Sequence, residues 1–430
     1  MKKIGFHLDN NGIENVNCLN IENGNPGIGG SEYAIISMAY LLAKRKNNLD
    51  ITLFAEKKGV LPKEINCKFV ESIDETISCA NKCEIEYLVV DYKRLPHLLI
   101  TKNPNLKFII WAHNFIKEED FDFYSESKNV VRIVNVGREQ RDLYRDHKIF
   151  NKLDYIYNGL SLFPIDKYDI SLYPFKKRNN NVVYIGSIVP SKGFDILART
   201  WPKVLKKVPD AQLYVIGSGK LYDRGLELGK WGIAESNYEA KFMKYLTKEG
   251  EILSSVHFMG VMGEEKNDLL LKCKVGVPNP SGKSETFGFT AIEIQSMGCN
   301  ITTIKCPGYL DTVYNKKYLY KRVDSLASNI IKLLNHQSDD FSDVYKFIKS
   351  NFSFDVIVLK WEKLLSTSIA DDTLLHPLNE KSNTTFRLKF LKDFMQRIKK
   401  HIFLLRNTPP VEYFLIRTFD KIVNRLNTKN

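Results

Sequence analysis

No run in this chain approaches the roughly 20 consecutive apolar residues needed to cross a bilayer. Cysteine is scarce and unpatterned: seven residues, an odd number, with no C-x-x-C pair. Cys79 and Cys83 lie four apart, but no cluster of His or Cys completes a metal-ligand set around them. A disulfide framework and a zinc site are therefore not expected, and a reduced, cytoplasmic protein is. The glycine-rich turns lack G-x-G-x-x-G spacing, and no Lys-Ser/Thr pair makes a Walker loop. A solenoid-type repeat is also missing. The first residues, MKKIGFHLDNN, turn polar too soon for a signal peptide and read as a strand.

What is present is ordinary globular chemistry, with 43% hydrophobic and 26% charged residues over 430 positions, enough for two or three domains. The formal charge of +13 is unevenly placed, since residues 386–430 hold eleven Lys/Arg against three Asp/Glu. The question raised by the basic balance therefore belongs to the tail.

Short β-rich runs at 2–8, 50–55, 86–91, 107–113 and 130–136 alternate with helical periodicity, clearest in SEYAIISMAYLLAKR (31–45), where Ser31 is a plausible N-cap. The alternation restarts after a polar, Pro-containing stretch, with NVVYIGS, AQLYVIGSG and CKVGVPNP as strands. The pattern predicts an α/β protein of two doubly wound, Rossmann-like domains facing a cleft, 1–165 and 166–350. An amphipathic helix (351–366) is expected to close the second unit. A linker (367–385) then leads to a basic helical extension (386–430) broken at Thr408-Pro409-Pro410.

Three loops have the composition of anion sites. GNPGIGGSEYAII (24–36) places Gly29 and Gly30 before a helix, where N–H groups and the helix dipole favour an anion; a plain tight turn is the alternative. In YIGSIVPSKGFDIL (184–197), Lys192 is a point charge at a helix entrance, or else a solvated surface lysine. VIGSGKLYD (215–223) turns at Gly217. In SETFGFTAIEIQSMGCN (284–300), Glu285 precedes the Phe287-Gly288-Phe289 step and Glu293 follows within the helix. A ligand with hydroxyls at each end and an anion between them would satisfy both carboxylates and the N–H groups of the helix entrance. Without such a ligand, Glu285 is a first-turn dipole partner and Glu293 a surface residue. Asp120-Phe121-Asp122 is a D-x-D, but it lies in a charged run and reads as a solvated acidic stretch.

Over residues 2–365 the chain resembles the retaining glycosyltransferases of family 4, which have the GT-B fold. E-T-F-G-F-T-A-I-E resembles that family's E-x7-E signature, P-S-K-G-F-D-I-L its pyrophosphate loop and G-I-G-G-S-E its N-terminal glycine loop. Y-N-G-L (157–160), W-A-H-N (111–114) and H-F-M-G-V (257–261) follow its order too. The resemblance implies metal-independent transfer from a nucleotide-sugar to a glycan or lipid-linked acceptor in bacterial surface polysaccharide synthesis, with no cofactor and no metal site. It implies that Glu285 binds donor-sugar hydroxyls, with the backbone at Phe287, Gly288 and Phe289 beside the sugar and phosphate. Glu293 would hold the ribose, and Lys192 with Gly29 and Gly30 the diphosphate. Met259 and Val261 would border the nucleobase, and His113 the sugar and acceptor. One departure stands out: Ser187 occupies the position where the family commonly has an arginine, and Lys220 or Arg224 are candidates to replace that charge. An inactive nucleotide-sugar-binding homologue and a two-domain nicotinamide dehydrogenase are the competing readings; the second needs the dinucleotide fingerprint that the chain lacks.

In the tail, Phe390, Leu391, Phe394, Ile398 and Ile402 recur at helical spacing among Lys392, Arg397, Lys399 and Lys400. Such a helix lies in an anionic membrane interface, on the cytoplasmic face here, or packs its apolar stripe on the enzyme or a second subunit. Nucleic acid is not expected, because no binding module accompanies the charge.

Overall fold

The computed structural model describes residues 1–430 apart from 47, 222–224, 336–340, 368–374, 379, 381–387, 406 and 416–430. Arg224 and the last part of the tail, including Phe419, Ile422 and Leu426, lie outside the described residues.

Seven parallel strands build the first sheet: β1 (Lys2–Leu8), β2 (Leu49–Ala55), β3 (Asn66–Phe69), β4 (Tyr87–Asp91), β5 (Lys107–Ala112), β6 (Val130–Asn135) and β7 (Leu153–Tyr155). Their order is β3-β2-β1-β4-β5-β6-β7. Central strands are apolar along their length, as a sheet covered on both faces requires; β4 reads YLVVD and is buried at every position. The edge strand β3 is short, polar and mostly exposed, which blunts pairing with other chains.

The second sheet has five parallel strands, β8 (Asn181–Ile185), β9 (Gln212–Ile216), β10 (Val256–Gly260), β11 (Cys273–Gly276) and β12 (Asn300–Ile301), in the order β10-β9-β8-β11-β12. Each sheet therefore has a switch in strand order, between β1 and β4 in one and between β8 and β11 in the other. Chain leaving the carboxyl ends of those strands lines the crevice where such sheets bind ligands.

Three helices place the site: α1 (Gly30–Lys44) after β1, α2 (Arg138–Asp142) after β6 and α3 (Phe194–Leu205) after β8. The N-cap of α1 is Gly29, not the expected Ser31, and no side chain caps it. Later in the second lobe come α4 (Phe289–Ser296), α5 (Pro307–Thr312) and α6 (Phe341–Phe352).

The amphipathic helix α7 (Phe354–Ser366) closes the first lobe, not the second as its position in sequence suggested. Trp361 sits 4.5 Å from the Trp111 ring and 6.2 Å from Phe6, and Arg45 pairs with Glu362 at 3.0 Å. Lys2 donates to the carbonyls at the end of α7. Periodicity specified an apolar face; the first lobe's core, open on the α1 side, is what it covers. Truncating Trp361 would cost roughly 3–5 kcal/mol. The returning chain runs beside the outgoing one: Leu160 N–H donates to the Phe352 carbonyl at 2.7 Å, and Phe354 N–H to the Leu160 carbonyl at 3.2 Å.

Beyond α7 the described residues contact the first lobe. Glu380 meets Arg138 and Arg141, and His376 meets Asp154. Helix α8 (Lys389–His401) follows, then a short turn and a helical start at 411–415.

Candidate active site

Lys192 ends a 3-10 turn after β8, and Gly193 in the left-handed region starts α3 directly behind it. Glu285 lies on the loop after β11. These two residues, arriving from either side of the switch point, pair at 3.0 Å. Asn279 Nδ2 donates to the same Glu285 Oε2 at 2.8 Å, and the Tyr309 hydroxyl reaches it at 3.4 Å. Three donors converge on Oε2, and Oε1 is the oxygen that a ligand hydroxyl would meet. The sequence suggested separate duties for Lys192 and Glu285; the structure brings them together.

Gly288 caps α4 at φ +87, where a Cβ would lie 2.7 Å from the Tyr309 ring, so no other residue is accommodated without moving α5. Helix α4 starts at Phe289. Phe287 precedes it with its side chain buried against Tyr157, Phe289 and Phe352. The backbone of this step, not the Phe287 ring, is what the cleft receives. Glu293, one turn into α4, pairs with Lys266 at 3.2 Å.

The first lobe approaches closely. A Cβ on Gly30 would stand 2.9 Å from the Phe289 ring, so glycine is what permits the entrances of α1 and α4 to face each other. Gly29 packs on the Glu32 carboxylate, whose pKa burial raises above the ordinary value. Gly27 stands beside Val261, which with Met259 is exposed at the lip of β10. Gly217, after β9, donates its N–H to the Gly260 carbonyl at 2.8 Å. Ser187 is buried and turned to the Ser218 carbonyl at 3.4 Å, inside the turn and not at its surface. Lys220 is exposed on the turn beyond.

His113, just past the end of β5, holds Asp91 Oδ2 through Nδ1 at 2.8 Å. Burial pushes the Asp91 carboxyl up, and the hydrogen bond and charge of His113 outweigh it, leaving the group below its usual range. Nε2 of His113 is buried without a hydrogen-bond partner among the described residues. Thr286 Oγ1 donates to the His113 carbonyl at 2.6 Å, a direct tie between the lobes. Asp311 of α5 is a second tie, accepting from the Glu139 N–H at 2.9 Å and the Tyr157 hydroxyl at 3.1 Å.

Asp91, Thr286, Lys266 and Asp311 were missed in the sequence. Asp91 alone carried a signal, as the acid ending a buried strand whose carboxyl end faces the crevice. In the D-x-D, Asp120 is not merely solvated: it accepts from the Tyr92 hydroxyl and lies 2.8 Å from His97. Asp122 meets Lys148 at 3.1 Å. Among the described residues no group of three His, Cys, Asp or Glu could hold a metal ion.

Two switch-point loops, a glycine-capped helix entrance and a cation–carboxylate pair thus meet in one interlobe crevice. Residues 170–348 match the family model for glycosyl transferases group 1. The chain is a glycosyltransferase with the GT-B fold. An uncharacterized glycosyltransferase of Haemophilus influenzae is 22% identical over 397 residues, covering 85% of this chain and 100% of that one. The glycosyltransferase of Rickettsia africae has a similar structure, with a TM-score of 0.61 at 13% identity, covering 86% of this chain and 99% of that chain. WaaG, a glycosyltransferase involved in lipopolysaccharide biosynthesis, superposes with a TM-score of 0.57 at 12% identity, covering 85% and 100%. The glycosyltransferase domain contains both E-x7-E acids, Glu285 and Glu293, together with Lys192.

Proposed function

We propose that this glycosyltransferase moves a sugar from a nucleotide-sugar donor to a glycan or lipid-linked glycan, with retention and without a metal. Synthesis of a bacterial surface polysaccharide at the cytoplasmic face of the plasma membrane is the setting that fits best. The observation carrying this reading is the Lys192–Glu285 pair at the switch point, set against the entrance of α4. An arriving diphosphate takes the Lys192 ammonium, and Glu285 exchanges that partner for hydroxyls of the sugar. Glu293, partnered by Lys266, receives the ribose hydroxyls.

As the bond from the sugar to the β-phosphate breaks, the sugar becomes oxocarbenium-like and negative charge grows on the leaving oxygen. Lys192 and the N–H groups at the start of α4 are held for that charge; each such preorganised donor contributes about 10²–10³ in rate. Lys192 supplies the cation that a metal provides elsewhere. The acceptor oxygen attacks from the face the leaving group vacates, and its proton passes to the departing phosphate, so configuration is retained. Glu285 does not need to be a nucleophile: three donors already quieten its Oε2. His113, oriented by Asp91, offers Nε2 to a sugar or acceptor hydroxyl. A lipid-linked acceptor is supported by the basic tail, and a surface-glycan pathway by the likeness to WaaG.

A panel of nucleotide sugars, followed by release of the nucleoside diphosphate, tests the reading. One donor is expected to be hydrolysed slowly in the absence of acceptor, with EDTA having no effect and the product keeping the donor's anomeric configuration. Calorimetric binding with no turnover on any acceptor would leave a binding protein. Recovery only with Mn²⁺ would remove metal independence, and an inverted anomer would remove retention.

A further inference from the structure

Helix α8 is docked on the first lobe with the wrong face inward for a simple amphipathic helix. Its buried contacts are ionic. Lys392 is 0% exposed and pairs with Glu412 at 2.8 Å, and Lys399 pairs with Asp146 at 3.0 Å. Asp393 meets Arg145 at 2.9 Å. The apolar side chains point the other way: Phe390 is 86% exposed, Phe394 58% and Ile402 46%, and Leu404 just beyond is 86% exposed. On a helical projection Phe390, Phe394, Ile398, Leu391 and Ile402 share one arc, with exposed Arg397 and Lys400 along its margin. Exposure on this scale, within one 13-residue helix and the turn after it, marks an interaction surface.

We propose that this arc of α8 is a membrane-contact face that lies in an anionic lipid surface and holds the first lobe against it; the inference rests on the reading that the acceptor is lipid-linked. Charge decides between the occupants. The extension carries eleven basic against three acidic residues; apart from the buried, paired Lys392 and Lys399, nine basic residues remain, an excess that anionic headgroups complement. A two-fold contact with a second copy would instead bring two copies of the same basic-margined patch together, because an isologous interface uses the same patch on both sides. The docking also orients the lobe. The Tyr413 hydroxyl donates to the Ile116 carbonyl at 2.9 Å, three residues beyond His113. The segment that buries Lys399 is therefore also tied to the loop that follows His113.

The test is sedimentation of the full chain with phosphatidylcholine vesicles, with and without phosphatidylglycerol. Binding is expected on the anionic vesicles and to weaken with salt. The double variant Phe390→Ser/Phe394→Ser is expected to lower partition at least about ten-fold, with melting temperature and nucleotide-sugar hydrolysis in solution kept. Leu172→Ser, at an exposed apolar residue of the second lobe, should bind as the parent does. Unchanged partition of the double variant overturns the proposal, as does equal binding to uncharged vesicles. Concentration-dependent dimerisation abolished by the same variant would give the face to a second copy. Absent hydrolysis of every donor, with vesicle binding intact, would count against the proposed reaction and leave the membrane face standing.

Discussion

Lys192–Glu285 in the crevice and Lys399–Asp146 beneath the tail are the same pair of chemical groups at the same 3.0 Å. Their surroundings differ. The crevice pair keeps 18% and 12% of its side-chain surface, between the two lobes. The tail pair keeps 6% and 0%, and its atoms are bound into the backbone as well. Lys399 donates to the Thr408 and Pro409 carbonyls, and Asp146 accepts from the Val411 N–H. Distance does not separate an exchangeable pair from a structural one. What separates them is whether each partner has somewhere else to go: solvent and, under the proposed reaction, a diphosphate and sugar hydroxyls in one case, nothing but uncompensated burial in the other.

The comparison is broken most directly in the crevice. Lys192→Met and Glu285→Gln are each expected to lower turnover about 100–1,000-fold, while the melting temperature moves little, because water reaches the partner left behind. Steady-state kinetics on the active donor, beside a thermal melt, check both halves. A large loss of stability in either variant would make the crevice pair a structural strut like the other.

Lys399→Met is the mirror experiment. It strands Asp146 in the interior, and breaking such a pair costs about 3–5 kcal/mol. The expected outcome is a lower-melting protein whose hydrolysis of donor, per folded molecule, is close to the parent's. Calorimetry should find the loss in the first lobe. If Lys399→Met melts as the parent does, the tail is not held by its ion pairs, and the orientation of α8 has lost its cause.

The contrast also explains what could be read from the chain beforehand. Buried central strands such as β4 and β5 were legible because a sheet covered on both faces demands continuous apolar runs. Edge strand β3, reading NCKF, was not, since its polarity serves the edge. Glu285, Glu293 and Lys192 could be picked out because turn chemistry and helix entrances are local. Their partners could not: Lys192 finds Glu285 across 93 residues and Glu139 finds Asp311 across 172, and no local signal spans those distances. For α7 and α8, periodicity supplied two faces without saying which core takes which. Helix α7 went to the first lobe because Phe6 and Trp111 offer an apolar seat. Helix α8 was turned over because Asp146 and Glu412 offer its lysines carboxylates.

Asp311 sharpens the same distinction with pH and should give the smallest effect. It ties the lobes through Glu139 and Tyr157, and burial pushes its carboxyl from 3.8 up to about 7, against the two hydrogen bonds that pull it down. In the unfolded chain this acid ionises near its ordinary value. Between the two values the folded protein holds a proton that the unfolded chain has released, so stability falls as pH rises through that window and levels off above about 7. Asp311→Asn has no proton to lose. Its melting temperature relative to the parent should therefore rise from pH 5 to pH 8, by the equivalent of roughly 1–2 kcal/mol. Because the carboxylate bridges the lobes, the parent's tie at α5 carries a growing cost of burying charge as the solution turns alkaline. A difference between variant and parent that stays constant with pH would mean that Asp311 does not take up a proton on folding in this range, and that the interlobe tie is a pH-insensitive strut instead of a titrating one.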